Sequence, residues 1–373
     1  GVSKVEKRAD LARLVKKKAG RRKVRTLAIA DPRATAEAVR ITGDRVDFYN
    51  PAKIGNADLV QAIAALRNQK TAEELAEMRK AAAITRDAHK LAMAHTRPGV
   101  CEQELVGHVE GAFARHGCVP AYNTILSVRG EVLHNHDHGN LIKSGDLVLL
   151  DGGAELPSGY CADVTRTWPA SGHFSPEARD VYDIVLEAEK TSIAMVRPGV
   201  RYRDVHMASA RVIADGLAQL GLMKGDADDL VASGAHALFF PHGVGHLLGI
   251  DVHDMEGFGD RVAYAPGRRR SKDFGTAFLR LDLDLQPGMC VTIEPGIYFV
   301  PAILRNSEFR AKYRKQIDFA RVERFLTMNS RRGFGGIRIE DDVACKKTGH
   351  EVLSAGVPKE RIAVEALVGS ALS

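Results

Sequence analysis

The chain contains 373 residues, of which 45% are hydrophobic and 27% are charged. This composition is typical of a globular protein, and the length allows a large core and two domains. No apolar run approaches about 18 residues, so we expect no membrane-spanning helix. The basic head has no apolar stretch of the signal-peptide type, and five scattered cysteines form no CxxC pair. Both features favour reduced thiols and a cytoplasmic location.

The formal net charge of +6 is unevenly distributed. Residues 1–25 hold eleven Lys and Arg against Glu6 and Asp10, so the other residues together carry about −3. A basic head can contact nucleic acid or acidic lipid. No aromatic residue or binding motif accompanies the charge, so we favour a solvated helix face and expect neither nucleic acid nor a membrane as partner.

Residues 1–68 have the pattern of a small α/β domain. A basic helical stretch is followed by the apolar sequence TLAIAD (Thr26–Asp31) and by a second short apolar run in Arg45–Asn50, which we predict as strands. A second domain, residues 69–373, is predicted to begin at a long helix. Thr71, with Glu74 three residues later, forms the capping-box signature of a helix start.

An internal repeat follows. The tetrapeptide RPGV occurs at Arg97–Val100 and again at Arg197–Val200. Each copy lies between two helical stretches, and each half later contains an apolar strand that ends in an acid, Asp151 or Glu294. This recurrence predicts two α/β halves related by a pseudo-twofold axis, with the acids of both halves brought together.

Two further acids lie in predicted apolar strands. Asp163 lies in a stretch that is typical of the returning strand of a hairpin after Asp151, and Glu340 lies in a glycine-led strand. Acids in such runs are costly to bury unpaired, and a shared cation would explain four of them. His246, in FFPHGVGHLLGIDVHD, adds an imidazole.

Four carboxylates and one imidazole, without a thiolate, favour Mn²⁺, with Co²⁺, Fe²⁺ or Zn²⁺ as substitutes. Four negative charges balance two divalent ions. Such a pair would hold a water between them, lower its pKa to near neutrality and so generate the nucleophile of a hydrolysis.

Five segments carry a family resemblance: LLDGGAE, CADVTRTWP, HGVGHLLGIDVHD, VTIEPGIYF and GGIRIEDD. In this order, over roughly residues 70–355, they resemble the pita-bread metallopeptidases, which include methionine aminopeptidase, aminopeptidase P and prolidase. The resemblance implies an α/β (α+β) pita-bread catalytic domain. It also implies five ligands to two metal ions: Asp151, Asp163, His246, Glu294 and Glu340. Asp163 and Glu340 would bridge the ions, and Glu294 would also relay a proton from the water.

The resemblance assigns roles to other residues as well. His242 would hydrogen-bond the substrate, and His253 would support the scissile carbonyl or the tetrahedral intermediate. His134 would line the proline pocket, and Arg338 would orient the carboxylate ligands. It assigns nothing to the neighbouring His136 and His138, which we interpret as solvated loop residues.

Two details favour the Xaa-Pro dipeptidase (prolidase) branch. Glu294 and Glu340 are 46 residues apart, and the intervening segment resembles a prolidase insertion. Arg280 resembles an arginine that holds the free carboxylate of a dipeptide, a task suited to its two parallel donors. We therefore expect hydrolysis of Xaa-Pro dipeptides. The alternatives are an aminopeptidase P-like enzyme that acts on longer peptides and a non-catalytic pita-bread binding module.

The sequence departs from the family pattern in two places. The spacing from Asp151 to Asp163 is one residue longer than usual, which a hairpin loop can absorb. The N-terminal part is shorter than a prolidase N-domain and is therefore either reduced or incomplete. In the family, that domain usually helps to form the dimer. We expect a homodimer here, although the short N-terminal part gives this expectation less support.

Overall fold

The structure is a computed structural model and describes residues 4–29, 31–46, 57–329 and 332–372. The chain separates into two compact units. The first comprises Gly1–Arg67 with Met255–Val262, and the second comprises Asn68–Asp254 with Ala263–Ser373. The inclusion of Met255–Val262 in the first unit had no counterpart in the sequence pattern.

Helices make up the regular structure of the first unit within its described residues. They include α1 (Leu11–Ala19), α2 (Pro32–Thr42) and most of α3 (Ala57–Asn68). The start of α2 is well defined, because the Asp31 carboxylate accepts hydrogen bonds from the backbone N–H groups of Arg33 and Ala34. This is a common N-cap, with Pro32 at the first helical position.

The predicted strand at Thr26–Asp31 is wrong over its described residues, since Thr26–Ile29 have no strand structure. Their backbone N–H groups instead bond to side chains: Thr26 donates to Asp44 at 2.8 Å and Ile29 donates to the Thr35 hydroxyl at 3.0 Å. Local side-chain acceptors here replace a ladder partner. Most of the second predicted strand, in Arg45–Asn50, lies outside the described residues.

The first half of the second unit begins at the predicted capping box. The Thr71 hydroxyl accepts from the Glu74 N–H, and the Glu74 carboxylate accepts from the Thr71 N–H. Two helices, α4 (Ala72–His95) and α5 (Glu102–Arg115), precede five strands. The strands are β1 (Val119–Pro120), β2 (Ile125–Ser127), β3 (Leu147–Asp151), β4 (Ala154–Glu155) and β5 (Thr165–Pro169). β3 is the centre of an antiparallel sheet of order β2-β3-β5, in which Asp151 pairs with Thr165.

The second half repeats this plan with additions. The helices along this part of the chain are α6 (Pro176–Met195), α7 (Tyr202–Gln219), α8 (Ala227–Ala232), α9 (Asp260–Ala263), α10 (Pro301–Leu304), α11 (Ser307–Lys312), α12 (Phe319–Thr327) and α13 (Arg361–Leu367). Most of α9 belongs to the first unit. The strands are β6 (Cys290–Ile293), β7 (Gly296–Tyr298), β8 (Gly336–Arg338), β9 (Asp341–Cys345) and β10 (His350–Val352). They form an antiparallel sheet of order β10-β9-β6 and the pair β7-β8.

The two RPGV turns have the same geometry. Gly99 and Gly199 have φ angles of +92° and +85°, a region that favours glycine. The N–H of Gly99 donates to the carbonyl of Ile142 and that of Gly199 to the carbonyl of Leu285, both at 2.8 Å. The repeat found in the sequence therefore corresponds to a repeated turn in the structure.

The segment between Glu294 and Glu340 packs onto the second-half core through aromatic rings. Phe299 stacks on Phe325 with ring centroids 4.5 Å apart, and Phe334 packs edge-on against Phe299 at 5.0 Å. Phe299 and Phe334 are buried, so each contributes on the order of 1.5–3 kcal/mol. The segment between Glu294 and Glu340 is thus folded onto the core before β8 begins. Within the described residues, no helix has the length and apolar character needed to cross a membrane.

Candidate active site

Three of the predicted metal ligands lie together in the interior. Asp163, His246 and Glu340 each offer a ligand atom, and these atoms are within 4.8 Å of one another. The Nε2 atom of His246 is 3.3 Å from Oδ2 of Asp163. Its Nδ1 is 2.9 Å from the carbonyl oxygen of Leu247. Because a carbonyl only accepts, Nδ1 carries the proton and Nε2 is directed at the carboxylates, as in a histidine ligand held by its outer hydrogen bond.

Glu294 extends this group toward solvent. It follows β6, and its N–H donates to the carbonyl of Val244 at 2.8 Å. Oε1 lies 3.7 Å from Nε2 of His246, and Oε2 lies 3.9 Å from Nδ1 of His242. Its side chain is 15% exposed, against 12% for Asp151 and 7% for Asp163. Among these carboxylates, Glu294 is therefore placed to meet an arriving molecule.

Asp151 is joined to the group by protein donors. The Tyr122 hydroxyl contacts Oδ1 of Asp151 at 2.6 Å and makes a short contact with Oδ1 of Asp163. The Arg338 guanidinium makes a short contact with Oδ2 of Asp151 and donates from Nε to the Thr165 hydroxyl at 3.0 Å. Sequence reasoning missed Tyr122, because a single tyrosine ahead of a short strand has no recognisable pattern. Arg338 lies where a carboxylate-orienting residue is expected.

The carboxylates of the site are buried close together, so ionisation of all of them at once is strongly unfavourable. Burial raises the pKa of Glu340 well above its usual range, and the charges of Asp163 and Glu294 add to the rise. Burial also raises the pKa of Asp151 and of Glu294. At Asp163 burial acts in the same direction, but the contacts with the His246 and Tyr122 side chains outweigh it and lower the pKa. Such a set of hard oxygen donors with one imidazole fits a divalent cation, which would offset the repulsion.

His242 is a neutral hydrogen-bonding group in this site. Burial and the nearby Arg338 charge lower its pKa to about 3. Nδ1 is 2.7 Å from the carbonyl of Gly243, so it carries the proton. Nε2 consequently accepts from the Tyr298 hydroxyl at 2.9 Å. Arg338 donates to that hydroxyl at 3.2 Å, so a chain of hydrogen bonds fixes the His242 ring.

The other predicted histidines border the group. The exposed His253 packs its ring edge-on to His246, with centroids 4.6 Å apart. His134 is reached by solvent, and partial burial with the charges of Arg338 and Arg280 lowers its pKa. His138, interpreted from sequence as solvated, is half-buried, and its Nδ1 is 3.1 Å from the Leu126 carbonyl. Its role is therefore to hold its loop rather than to face water.

Arg280 reaches the same region from a loop. Its positive charge acts on the pKa values of His242, His246 and Glu294. The loop passes close over Gly243, where a Cβ atom would lie 3.1 Å from both Leu279 Cα and the Phe278 carbonyl oxygen. The absent side chain at Gly243 thus lets Arg280 approach the site.

The model of metallopeptidase family M24 matches residues 76–347, which include every residue of the candidate site described above. The chain belongs to this family. It is 38% identical to the Xaa-Pro aminopeptidase of Escherichia coli over 332 residues, which cover 88% of this chain and 65% of that protein. This chain thus spans just under two thirds of that relative's length.

Two solved structures resemble this M24 peptidase closely. The aminopeptidase PepP of Pseudomonas aeruginosa matches with a TM-score of 0.71 and 32% identity, over 98% of this chain and 75% of that one. A zinc-substituted Escherichia coli aminopeptidase P in complex with product matches with a TM-score of 0.66 and 38% identity, over 83% and 61%. The predicted family and the α/β pita-bread fold are confirmed.

The names of these relatives favour a different branch from the one expected. The dipeptidase interpretation relied on the length between Glu294 and Glu340 and on Arg280, whereas the relatives are named Xaa-Pro aminopeptidases. The aminopeptidase alternative is therefore better supported. Segment length is a weak criterion, because an insertion packed on the outside of a core changes length without changing the site. The homodimer stays a prediction.

Proposed function

We propose that this M24 peptidase hydrolyses the bond between an N-terminal residue and proline in peptides longer than two residues, as an Xaa-Pro aminopeptidase. The buried set Asp163, His246 and Glu340 carries the proposal, since an oxygen-rich donor group with one imidazole is suited to hydrolytic metal ions. The names of the relatives support the proline specificity.

We further propose that Asp151, Asp163, His246, Glu294 and Glu340 hold two divalent ions, with Mn²⁺ as the first choice. When bound, such a pair lowers the pKa of a water and polarises the scissile carbonyl. Ligand atoms of Asp163 and Glu340 lie within 4.8 Å of each other and of His246, and these two carboxylates would be shared between the ions. Arg338 and Tyr122 hold Asp151 in place, so that its oxygens need not reorganise.

The remaining residues act on the substrate and its proton. Glu294, the most exposed carboxylate of the set, accepts a proton from the nucleophilic water and passes it to the departing proline nitrogen. His253, at the edge of His246, donates to the oxygen of the tetrahedral intermediate. Neutral His242 holds the peptide backbone, and His134 borders the proline ring.

A substrate panel tests the proposal. Protein loaded with Mn²⁺ should cleave Ala-Pro-Ala with a higher kcat/KM than Ala-Pro and should leave a Met-initiated peptide without proline intact. Cleavage of none of these by metal-loaded protein would favour a non-catalytic binding module instead.

The dipeptidase function remains a second candidate because Arg280 brings a positive charge to the site. If Arg280 binds the carboxylate of a dipeptide, Arg280→Ala should raise KM for Ala-Pro about 10- to 100-fold and leave Ala-Pro-Ala nearly unaffected, since a charged hydrogen bond contributes roughly 1.5–3 kcal/mol. Arg314→Ala, at an exposed position of the segment before β8, is the matched control. A preference of the parent protein for Ala-Pro over Ala-Pro-Ala would overturn the aminopeptidase proposal in favour of this one.

A further inference from the structure

Lys70 and Asp254 form a deeply buried ion pair next to His253. Nζ of Lys70 is 3.2 Å from Oδ2 of Asp254, and the two side chains are 2% and 1% exposed. Opposite charges withdrawn from water this completely are costly unless they are held together. Neither residue belongs to the carboxylate group or to the histidines of the candidate active site.

The pair joins the two ends of one continuous stretch of the second unit. That stretch runs from Asn68 to Asp254, so Lys70 lies near its start and Asp254 is its last residue. The N–H of Lys70 donates to the carbonyl of Gly288 at 2.9 Å, which fixes it beside the turn before β6. Met255 follows Asp254 with a φ angle of +62°, an unusual backbone conformation for this residue. The backbone around Asp254 is thus sharply constrained.

Gly249 provides the space for the pair. A Cβ atom at this position would lie 2.5 Å from Oδ2 of Asp254 and 3.0 Å from Cε of Lys70. Any side chain at residue 249 would therefore push the ion pair apart. The glycine, the lysine and the aspartate form one packed arrangement.

The backbone of Asp254 is also connected to the metal-ligand histidine. Its N–H donates to the carbonyl of Leu247 at 2.9 Å. The same carbonyl accepts from Nδ1 of His246, also at 2.9 Å. The loop from residue 247 to residue 254 is closed by this bond, and His253 lies inside it with its ring against that of His246.

We propose that Lys70 and Asp254 are positioning residues for His253. Their ion pair fixes the end of the loop, so that the imidazole of His253 stays against His246 and faces the substrate carbonyl. The proposal rests on the function proposed above, in which His253 supports the tetrahedral intermediate. Lys70 and Asp254 act through His253 and do not touch the substrate.

A double variant tests the proposal without leaving a buried charge unpaired. Lys70→Met combined with Asp254→Asn removes both charges and nearly preserves both volumes, a change that buried ion pairs often tolerate. In Mn²⁺-loaded enzyme acting on Ala-Pro-Ala, we expect kcat to fall about 10- to 100-fold, because a displacement near 1 Å costs up to about 100-fold in rate. KM and metal content should stay at the parent values. Unchanged kcat in the folded double variant overturns the proposal.

A double-mutant cycle with His253→Ala separates positioning from general stability. If the ion pair acts through His253, adding the double variant to His253→Ala should cause no further loss of kcat. Losses that multiply instead overturn the proposal. If the double variant does not fold, Gly249→Ala provides the same test by displacing the pair sterically while retaining both charges.

A signal that does not depend on activity completes the test. In protein labelled with ¹⁵N-histidine, the ring signals of His253 should shift in the double variant, because the edge-on contact with His246 is lost. Arg79→Met with Glu351→Gln removes an ion pair between α4 and β10 with contacts of 2.6 and 2.8 Å and should change neither kcat nor these signals. A parent protein that cleaves no proline peptide refutes the proposed function, whereas unshifted His253 signals refute the positioning proposal.

Discussion

In the first half of the second unit, the N–H of Gly99 bonds to the carbonyl of Ile142 and the strand ends at Asp151, nine residues after Ile142. In the second half, Gly199 bonds to Leu285 and Glu294 follows nine residues later. The backbone of each half therefore places one acid at the same distance along the chain from its turn contact.

The surroundings of these two acids differ. Asp151 is held by the Tyr122 hydroxyl and the Arg338 guanidinium. Glu294 lies 3.7 Å from His246 and 3.9 Å from His242, with its side chain partly open to solvent. The repeated backbone thus fixes where each acid lies, and the different neighbours support the roles proposed above, a fixed ligand for Asp151 and a proton carrier for Glu294. The following variants test this contrast.

The largest effect is expected from Asp163→Asn, at the centre of the group. An amide removes a negative charge from a proposed bridging position, so metal affinity should fall by more than the roughly 10- to 100-fold seen when only a ligand's supporting partner is lost. Elemental analysis after Mn²⁺ loading should find one ion or fewer per chain. Asp228→Asn, on the exposed face of α8, serves as control. Two tightly held ions in Asp163→Asn would contradict the bridging role.

Glu294→Gln should chiefly lower kcat. If Glu294 moves the proton, its loss should reduce kcat by about 10²- to 10⁴-fold, the usual range for a general acid–base group. Asp151→Asn should mainly weaken metal binding, so that excess Mn²⁺ restores part of its activity. Steady-state kinetics at increasing Mn²⁺ concentration would distinguish the two. Equal rescue of both variants by Mn²⁺ would contradict the different roles proposed for Asp151 and Glu294.

A smaller effect concerns buried histidines. Burial lowers the pKa of His206, on α7, to about 3, and neither ring nitrogen has a hydrogen-bond partner among the described residues. Since the unfolded pKa is near 6.5, only the unfolded state takes up a proton between that pH and about 3, so the free energy of unfolding falls as pH falls from 6.5 toward 3. The slope of about 1.4 kcal/mol per pH unit gives a loss of about 2 kcal/mol at pH 5.

His206→Leu should therefore reduce the loss of unfolding free energy between pH 7 and pH 5, measured by urea denaturation. In the first half, burial also lowers the pKa of His89 to about 3, but its Nε2 is 3.1 Å from the Gly152 carbonyl. His89→Leu should accordingly cost about 1 kcal/mol already at pH 7 through the lost hydrogen bond. Parallel stability profiles for the parent and His206→Leu would contradict the argument.

The smallest effect tests the repeat itself. Gly99 and Gly199 both have positive φ angles, and a Cβ atom at either position would meet no neighbour within 4 Å. Alanine at each should therefore cost only backbone strain, roughly 1–2 kcal/mol. Thermal unfolding should show similar decreases in Tm for the two variants. A variant that retains the parent Tm would mean that the two turns are not equivalent.

Several parts of the site could be predicted from the sequence because their signals are local. An acid at the end of an apolar strand is unusual wherever it occurs, so Asp151, Asp163, Glu294 and Glu340 could be grouped from their sequence positions. The capping box at Thr71 and the RPGV turns are likewise short patterns whose backbone geometry depends on a few adjacent residues. In the first unit the same approach failed at Thr26–Ile29, because β propensity does not say whether a neighbouring strand is present.

Other parts depended on residues far apart in the chain. Tyr122 has no motif, and its hydroxyl becomes informative only where it meets Asp151 and Asp163. Lys70 and Asp254 are ordinary charged residues in the sequence, and their burial against Gly249 arises from tertiary packing. The length of the segment before Glu340 suggested a dipeptidase, yet its packing through Phe299, Phe325 and Phe334 could not be read from that length.

Strand periodicity, turn glycines and the unfavourable burial of acids are properties of short segments, so sequence patterns were sufficient to predict the α/β class and to group the candidate acids. The family followed from the resemblance of five such segments. Tertiary packing was needed to show which acid contacts Tyr122 and Arg338 and which faces the two histidines, which backbone carbonyls His242 and His246 contact, and that Lys70 and Asp254 meet beside His253. These features depend on distances between residues tens to hundreds of positions apart, and such distances are set when the two halves pack together.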